Sequence, residues 1–284
     1  MVSDISLTIL IDETSTTDNQ FVGEFGLSFF VESGEKKILF DTGSAGGFLA
    51  NAGMMGIELR DLDYVVLSHG HDDHTGGLIQ LARHLAMPKN TSHLSKVPEL
   101  VAHPRCFYPK PKGWIQNTGS PLSEAEAQQH FAVNLSQKPV WITDDLVFLG
   151  EVPRRFPFER TDPGERRIVL PDGSVELDQL RDDSALAFHS SAGLVIITGC
   201  SHTGICNIME YARDVCGERR VAGIVGGLHL LSPEPKRLVK TGKYLNRLHL
   251  NALYACHCTS PEAKIVLAEY CQLRETHVGM CLKW

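Results

Sequence analysis

The sequence predicts an α/β fold, and three observations carry that prediction. Short apolar runs bounded by turn residues alternate with stretches of helical spacing in the first eighty and the last hundred residues. Tyr64-Val65-Val66-Leu67 is an unbroken apolar run, the pattern of a strand covered on both faces. Hydrophobic residues make up 43% and charged residues 21% of the 284-residue chain, the balance of a folded globular protein rather than a disordered one.

Along the chain, strands are expected at 7–11, 27–31 and 37–40, the last ending in the turn Asp41-Thr42-Gly43-Ser44. Residues 45–56 place small and apolar side chains at helical spacing. The strand at 64–67 runs straight into Ser68-His69-Gly70-His71-Asp72-Asp73-His74-Thr75-Gly76-Gly77, where the small Gly70 lets the backbone turn. A helix over 78–87 stops before Pro88. The middle, 88–183, holds most of the prolines. Strands are expected there at 100–102 and 140–142, a helix over 123–130, and a hairpin of 167–170 and 174–177 around Pro171-Asp172-Gly173. This stretch has enough apolar residues to pack, so it reads as an inserted small α/β region or lid within one domain spanning 1–284. Strands at 185–188 and 194–198 follow, the second ending in Gly199-Cys200-Ser201-His202. A strand at 221–225 leads to Gly226-Gly227-Leu228-His229, with two glycines that let backbone approach a ligand. Next come a helix over 234–248, a strand at 252–256 ending at His257, and a helix with Ser260 as cap and Pro261 in its first turn.

A net charge of −7 is a poor surface for non-specific nucleic-acid binding. The N-terminal stretch lacks the basic and apolar regions of a signal peptide. No apolar run approaches the roughly 20 residues needed to cross a bilayer. Eight cysteines, most in apolar stretches such as LVIITGC and ALYACHC, read as reduced, buried thiols. The expected partner is therefore a small molecule rather than nucleic acid or membrane, and the expected compartment is the cytoplasm.

Three histidines and two aspartates fall within residues 69–74. His69 and His71, two apart at a strand end, project to the same side. Asp73 and His74, at the start of the next helix, swing back toward the same point but address a second position. Neutral imidazoles and a carboxylate suit divalent zinc, iron or manganese.

His-x-His-x-Asp-His after an apolar strand, with Phe40-Asp41-Thr42-Gly43 upstream, resembles the signature of the metallo-β-lactamase superfamily. The resemblance runs through most of the chain outside the middle stretch. GCSHTGICNI, GGLHL and CHCTS resemble a branch related to dihydropteroate synthase-like proteins of methanopterin and pterin metabolism. It implies an αββα sandwich with two divalent metal ions at the sheet edges, zinc first, with iron or manganese as alternatives. His69, His71 and His202 would hold the first ion, and Asp73, His74 and His257 the second, with Asp41 orienting the loop between them. Asp73 would also orient a nucleophile.

Many members place a bridging aspartate near the position that here holds Cys200 and Ser201. Either a water or hydroxide bridges alone or another group substitutes, and Cys200 itself is read as a buried inert thiol, the alternative being that it is the substitute. His229 is expected to contact substrate or transfer a proton, the alternative being a structural histidine. Glu151, in LGEVPR, matches another string of the branch and either reaches the site or is solvated. His103 is read as structural, the alternative being that it lines the pocket. Arg154, Arg155, Arg160, Arg166 and Arg167 either recognise phosphate or carboxylate or form a solvated face.

Three other motifs fail on spacing. An aspartic protease needs two facing aspartates and the chain has one Asp-Thr-Gly. A Gly-x-Ser-x-Gly elbow would need glycine where Thr203 stands. Cys256-His257-Cys258 lacks a second cysteine pair. The function expected is a dinuclear-metal enzyme acting on a small phosphorylated or pterin-like substrate, such as one joining a pterin diphosphate to an arylamine. The alternatives are a hydrolase of an ester, lactone or phosphodiester, and a metal-binding protein without turnover.

Overall fold

A computed structural model describes residues 4–15, 20–86, 96–112 and 116–284. The chain begins with β1 (Ile5–Ile11), β2 (Ser28–Ser33), β3 (Lys36–Phe40), α1 (Gly47–Met54), β4 (Tyr64–Val66), α2 (Asp72–Thr75), α3 (Leu78–Ala86) and β5 (Glu99–Ala102). The middle adds β6 (Pro111–Lys112), β7 (Gln116–Asn117), α4 (Glu124–Ala127), β8 (Ala132–Leu135), β9 (Val140–Trp141), β10 (Leu146–Phe148), β11 (Arg167–Val169) and β12 (Val175–Leu177). The last part runs β13 (Ala185–Ser190), β14 (Gly193–Thr198), α5 (Ile205–Cys216), β15 (Val221–Gly227), α6 (Pro235–Arg247), β16 (Ala252–Cys256), α7 (Pro261–Ala268) and β17 (Cys281–Lys283).

These strands form a seven-stranded sheet in the order β17-β1-β2-β3-β4-β5-β8 and a six-stranded sheet in the order β16-β15-β14-β13-β10-β9. Pairing is parallel from β3 through β4 and β5 to β8. It is also parallel from β14 through β15 to β16. Side-chain alternation explains the layering. Ile9, Phe29 and Val31 of the first sheet meet Leu186, Phe188 and Val195 of the second in one buried cluster. Leu10, Phe30 and Leu39 turn the other way, onto Phe48 of α1 and Leu78 and Leu81 of α3. Ala187, Ile196 and Ile224 face Met209 of α5, Leu245 of α6 and Leu267 of α7. The layers run helix, sheet, sheet, helix, the expected αββα sandwich.

Local signals placed several elements as read. Ser260 Oγ accepts from Ala263 N at 3.2 Å, with Pro261 in the first turn of α7. Ser123 and Glu126 close a capping box on α4, which is shorter than the 123–130 expected. Helix α3 ends at Ala86, and position 87 lies outside the described residues. Asp73 and His74 occupy a one-turn helix of their own, α2, rather than the start of α3.

Helix α5 carried no start signal, because Gly204 offers no side-chain cap. Its first amides are held instead by Glu159, 47 residues earlier in sequence: Cys206 N and Asn207 N donate to the carboxylate at 3.0 and 2.9 Å. The stretch 88–183 contributes β5 and β8 to the edge of the first sheet and β9 and β10 to the edge of the second. Its loops lie against the histidine turn, where Asp72 N donates to Thr118 O at 3.0 Å.

Candidate metal centre

Each predicted ligand, and His229, expected to contact substrate or transfer a proton, leaves the carboxyl end of a parallel strand, the edge where open α/β sheets gather ligand groups. His69, His71, Asp73 and His74 follow β4, His202 follows β14, His229 follows β15 and His257 follows β16. Asp41, Ser201, His229 and His257 adopt left-handed φ angles of 59°, 60°, 49° and 45°. For residues other than glycine such values are costly and cluster at functional sites.

His69, His71 and His202 form the first group, their ligand atoms all within 4.8 Å of one another. His69 Nε2 lies 3.0 Å from His71 Nδ1, and the His202 ring centroid is 4.8 and 4.9 Å from those of His69 and His71. Burial holds all three imidazoles neutral. The pKa of His71 falls to about 3, and those of His69 and His202 fall well below the ordinary value, with neighbouring imidazoles adding to burial.

Asp73, His74, Cys200 and His257 form the second group, and Cys200 also joins His202 and His229 in a third. His74 Nε2 lies 3.2 Å from both Cys200 Sγ and His257 Nε2, and His257 Nε2 lies 3.4 Å from Asp73 Oδ2. Burial alone would raise the Asp73 pKa and lower those of the histidines. Mutual attraction reverses this, so Asp73 sits well below the carboxylate range. His74 is raised by Asp73 and Asp41, and His257 by Cys258, Asp73 and Glu13. Cys200, read from sequence as a buried inert thiol with a bridging role as the alternative, thus groups with Asp73, His74 and His257 on one side and with His202 and His229 on the other.

The surrounding carboxylates set these side chains. Asp41 accepts from Ser68 N and Ser68 Oγ, both at 2.7 Å, and its Oδ2 meets His74 Nδ1 at 2.7 Å. Glu13 Oε1 meets His257 Nδ1 at 2.7 Å, and Asp12 accepts from His257 N at 2.8 Å. Asp182 accepts from Gly70 N at 2.8 Å and from Lys110 Nζ at 3.1 Å. Asp183, its neighbour, accepts from Thr203 N at 2.7 Å. Two adjacent aspartates therefore hold the loop of His69 and His71 and the loop of His202. Burial pushes the Asp183 carboxyl up to about 6, against the pull of those amides.

Sequence reading missed Asp12, Glu13, Lys110, Asp182 and Asp183. The signal for the acids was present: each acidic pair borders an apolar strand, at the end of β1 or ahead of β13.

Gly70 and Gly226 have reasons other than those expected. A Cβ on Gly70 would lie 2.6 Å from Cys106 Cα, so the glycine admits the neighbouring backbone. A Cβ on Gly226, at φ 127°, would lie 2.8 Å from the carbonyl carbon of Thr198, so the close approach there is of β15 to β14.

Glu151 and His103 pair with each other at 3.4 Å, and neither belongs to the ligand groups. Arg155 pairs with Asp214 at 2.7 Å, whereas Arg166 lines the cavity above the histidines. That cavity, about 490 Å³, is bounded by His71, Asp73, Cys200, His202, His229 and His257, with Phe25 and Leu231 as apolar walls. All eight cysteines are free. Cys106, Cys200, Cys206, Cys256 and Cys258 are buried, Cys216 and Cys271 are half-buried, and Cys281 is exposed.

The donors fit divalent cations. His71 Nε2, both ring nitrogens of His202 and His229 Nδ1 are buried without a hydrogen-bond partner. Such orphaned groups cost roughly 1–3 kcal/mol each unless a ligand satisfies them. The second group sets carboxylates around paired imidazoles, so a cation there would replace protons.

The metallo-beta-lactamase superfamily model matches residues 22–215, and the chain belongs to this superfamily. Fold, family and ligand groups together define a metal-dependent protein of the metallo-β-lactamase fold. The chain is 29% identical over 297 residues to 7,8-dihydropterin-6-methyl-4-(beta-D-ribofuranosyl)-aminobenzene-5'-phosphate synthase of Methanocaldococcus jannaschii, covering 100% of this chain and 98% of the relative. It is 30% identical over 275 residues to the uncharacterised protein MJ0448 of the same archaeon, covering 95% and 97%. Among solved structures, Tm1679, a metal-dependent hydrolase of the beta-lactamase superfamily, matches with a TM-score of 0.81 at 27% identity over 98% of both chains. No helix among the described residues is long and apolar enough to cross a membrane.

Proposed function

We propose that the chain is a dinuclear-metal enzyme that transfers a pterin-like group onto a phosphorylated arylamine. The observation that carries this reading is that Cys200 groups both with Asp73, His74 and His257 and with His202 and His229, beneath one cavity of about 490 Å³. His69, His71 and His202 would hold one ion, and Asp73, His74 and His257 the other, with Cys200 reaching toward both. Nitrogen and sulfur donors together favour zinc over harder cations. Bound there, the ions supply Lewis acidity and neutralise negative charge developing on a leaving phosphate oxygen.

The protein's own groups do the rest. Phe25 and Leu231, 62% and 57% exposed at the cavity, offer apolar walls to a flat heterocycle. In the transfer, the arylamine nitrogen attacks the pterin methylene carbon, the C–O bond to diphosphate breaks as C–N forms, and the nitrogen loses a proton. His229, with Nδ1 buried and unpartnered beside the cavity, is the group assigned to take that proton. The name of the archaeal relative describes a product of this kind, a dihydropterin-6-methyl group on an aminobenzene bearing a ribofuranosyl 5'-phosphate. Eight free cysteines fit a reducing cytoplasm.

A second reading, hydrolysis of an ester, lactone or phosphodiester, uses the same ligands and is favoured by the likeness to Tm1679. Metal-reconstituted protein separates the readings. Diphosphate released from a pterin diphosphate only when an arylamine is present supports transfer, and release without it supports hydrolysis. Metal binding with neither leaves a protein without turnover. His71→Ala is expected to lose the first ion and all activity, and retention of two tightly held ions would refute the ligand assignment. His229→Ala should keep its metal while turnover falls.

A further inference from the structure

The arginines of the middle stretch divide by what they touch. Arg154 donates to the carbonyls of Gln179 and Leu180, Arg155 pairs with Asp214, and Arg167 donates to the carbonyls of Gly164 and Arg166. The Arg160 guanidinium makes no hydrogen bond or ion pair among the described residues, and only its backbone N–H is engaged, donating to Pro157 O at 3.3 Å. Arg160 lines a second cavity of about 430 Å³, between the turn Pro157–Glu159 and the first turn of α6. This side cavity and the metal cavity share His229 and Leu231, so they adjoin there.

Arg237 of α6 lines the same side cavity. It is half-buried, and its Nε is sealed from solvent without a hydrogen-bond partner. Nearby carboxylates have other partners or face water. Glu159 is engaged by the amides of Cys206 and Asn207, Asp162 accepts from Gly164 N at 2.9 Å, and Glu234 is exposed. Burial lowers the Arg237 pKa and Glu159 offsets this only in part. A guanidinium with a buried, unused N–H beside a cavity is a standing demand for an anion.

We propose that this side cavity is an anion subsite, in which Arg237 and Arg160 hold a phosphate that the substrate carries away from the bond broken at the metal centre. The proposal rests on the phosphorylated substrate of the preceding section. Paired guanidinium forks match the oxygens of a phosphomonoester dianion, and the volume admits a sugar phosphate rather than a bare ion. One ligand would then span both cavities past His229 and Leu231, with its flat end between Phe25 and Leu231 and its charged end at α6. A carboxylate shares part of this chemistry and is separated by the test.

The test is calorimetric titration of the metal-loaded protein with ribose 5-phosphate, with ribose and with benzoate. Ribose 5-phosphate should bind, and ribose and benzoate should not. Arg237→Met should weaken ribose 5-phosphate roughly 10- to 100-fold, Arg237→Lys less, and metal content should match wild type in both. Arg160→Met alters an exposed side chain, so it keeps the test open if Arg237→Met does not fold, and it should weaken binding several-fold. Equal affinity in wild type, Arg237→Met and Arg160→Met would place the phosphate at the metals and overturn the proposal. Arginine-dependent binding of benzoate in place of ribose 5-phosphate would overturn it too. Arginine-dependent phosphate binding without transferase turnover would sink the transfer reading and leave the subsite standing.

Discussion

Lys110→Met removes an ammonium enclosed between two buried carboxylates. Lys110, Asp178 and Asp182 are 1%, 1% and 0% exposed, and Lys110 Nζ lies 2.8 Å from Asp178 and 3.1 Å from Asp182. Burial by itself would raise the Asp182 pKa, yet Lys110 and the Gly70 amide hold it down to about 2. Removing one partner of a buried pair leaves uncompensated charge and costs about 3–5 kcal/mol, a large share of a total stability of about 5–15 kcal/mol. The sign of the pH dependence follows. In wild type, the depressed Asp182 pKa contributes stability that is present above the unfolded value and lost as pH falls toward 2. In the variant, burial is opposed by the Gly70 amide and nearby imidazoles without the ammonium that opposed it most, so the folded pKa rises above the unfolded one and stability is lost as pH rises. Urea unfolding at pH 5 and pH 8 should therefore show the larger deficit at pH 8. Because Asp182 also fixes Gly70 between His69 and His71, metal affinity should fall roughly 10- to 100-fold, read by competition with a chelator. A deficit below about 1 kcal/mol with unchanged metal affinity would refute the reasoning.

Three further outcomes are expected. Gly70→Ala drives a Cβ toward the backbone of Cys106, which cannot yield as a side chain would, so about 1–3 kcal/mol of stability should be lost together with bound metal. Thermal unfolding with elemental analysis checks both. Cys200→Ser should fold normally but hold metal at least roughly tenfold more weakly, and an unchanged affinity would return Cys200 to the status of an inert thiol. Asp182→Asn removes a group whose lowering from 3.8 to about 2 corresponds to about 2–3 kcal/mol at neutral pH. Acid unfolding of this variant should accordingly be shallower between pH 4 and pH 2 than that of wild type.

How much was legible depended on how far apart the interacting residues lie in sequence. The runs at β3, β4, β14, β15 and β16 announce themselves by apolarity, and the turn 69–74 by its crowding of ligand types. Helix α5 did not, because the group that caps it arrives from Glu159. Strand β8 is a short run whose partner, β5, lies 30 or more residues away, so pairing rather than composition makes it a strand. Cys200 follows the apolar run of β14, which suggests an inert thiol, whereas residues distant in sequence, Asp73, His74, His229 and His257, surround it in space.

Taken alone, the linear order of residues was enough for the layered α/β architecture, the superfamily, and six side chains suited to two cations. The alternation of strands and helices follows from periodicity, and the crowding of ligand types at 69–74 from side-chain directions at a single strand end, which act over a few residues, whereas the sandwich, the superfamily and the candidates His202 and His257 follow from the resemblance. Folding in three dimensions decided the place of Cys200, the clamp of Lys110, Asp178, Asp182 and Asp183 under the histidine loops, and the side cavity beside Arg237. Those features need groups from different strands and from both sheets to be buried together, and burial is what gives an unpaired charge or an orphaned nitrogen its energetic weight.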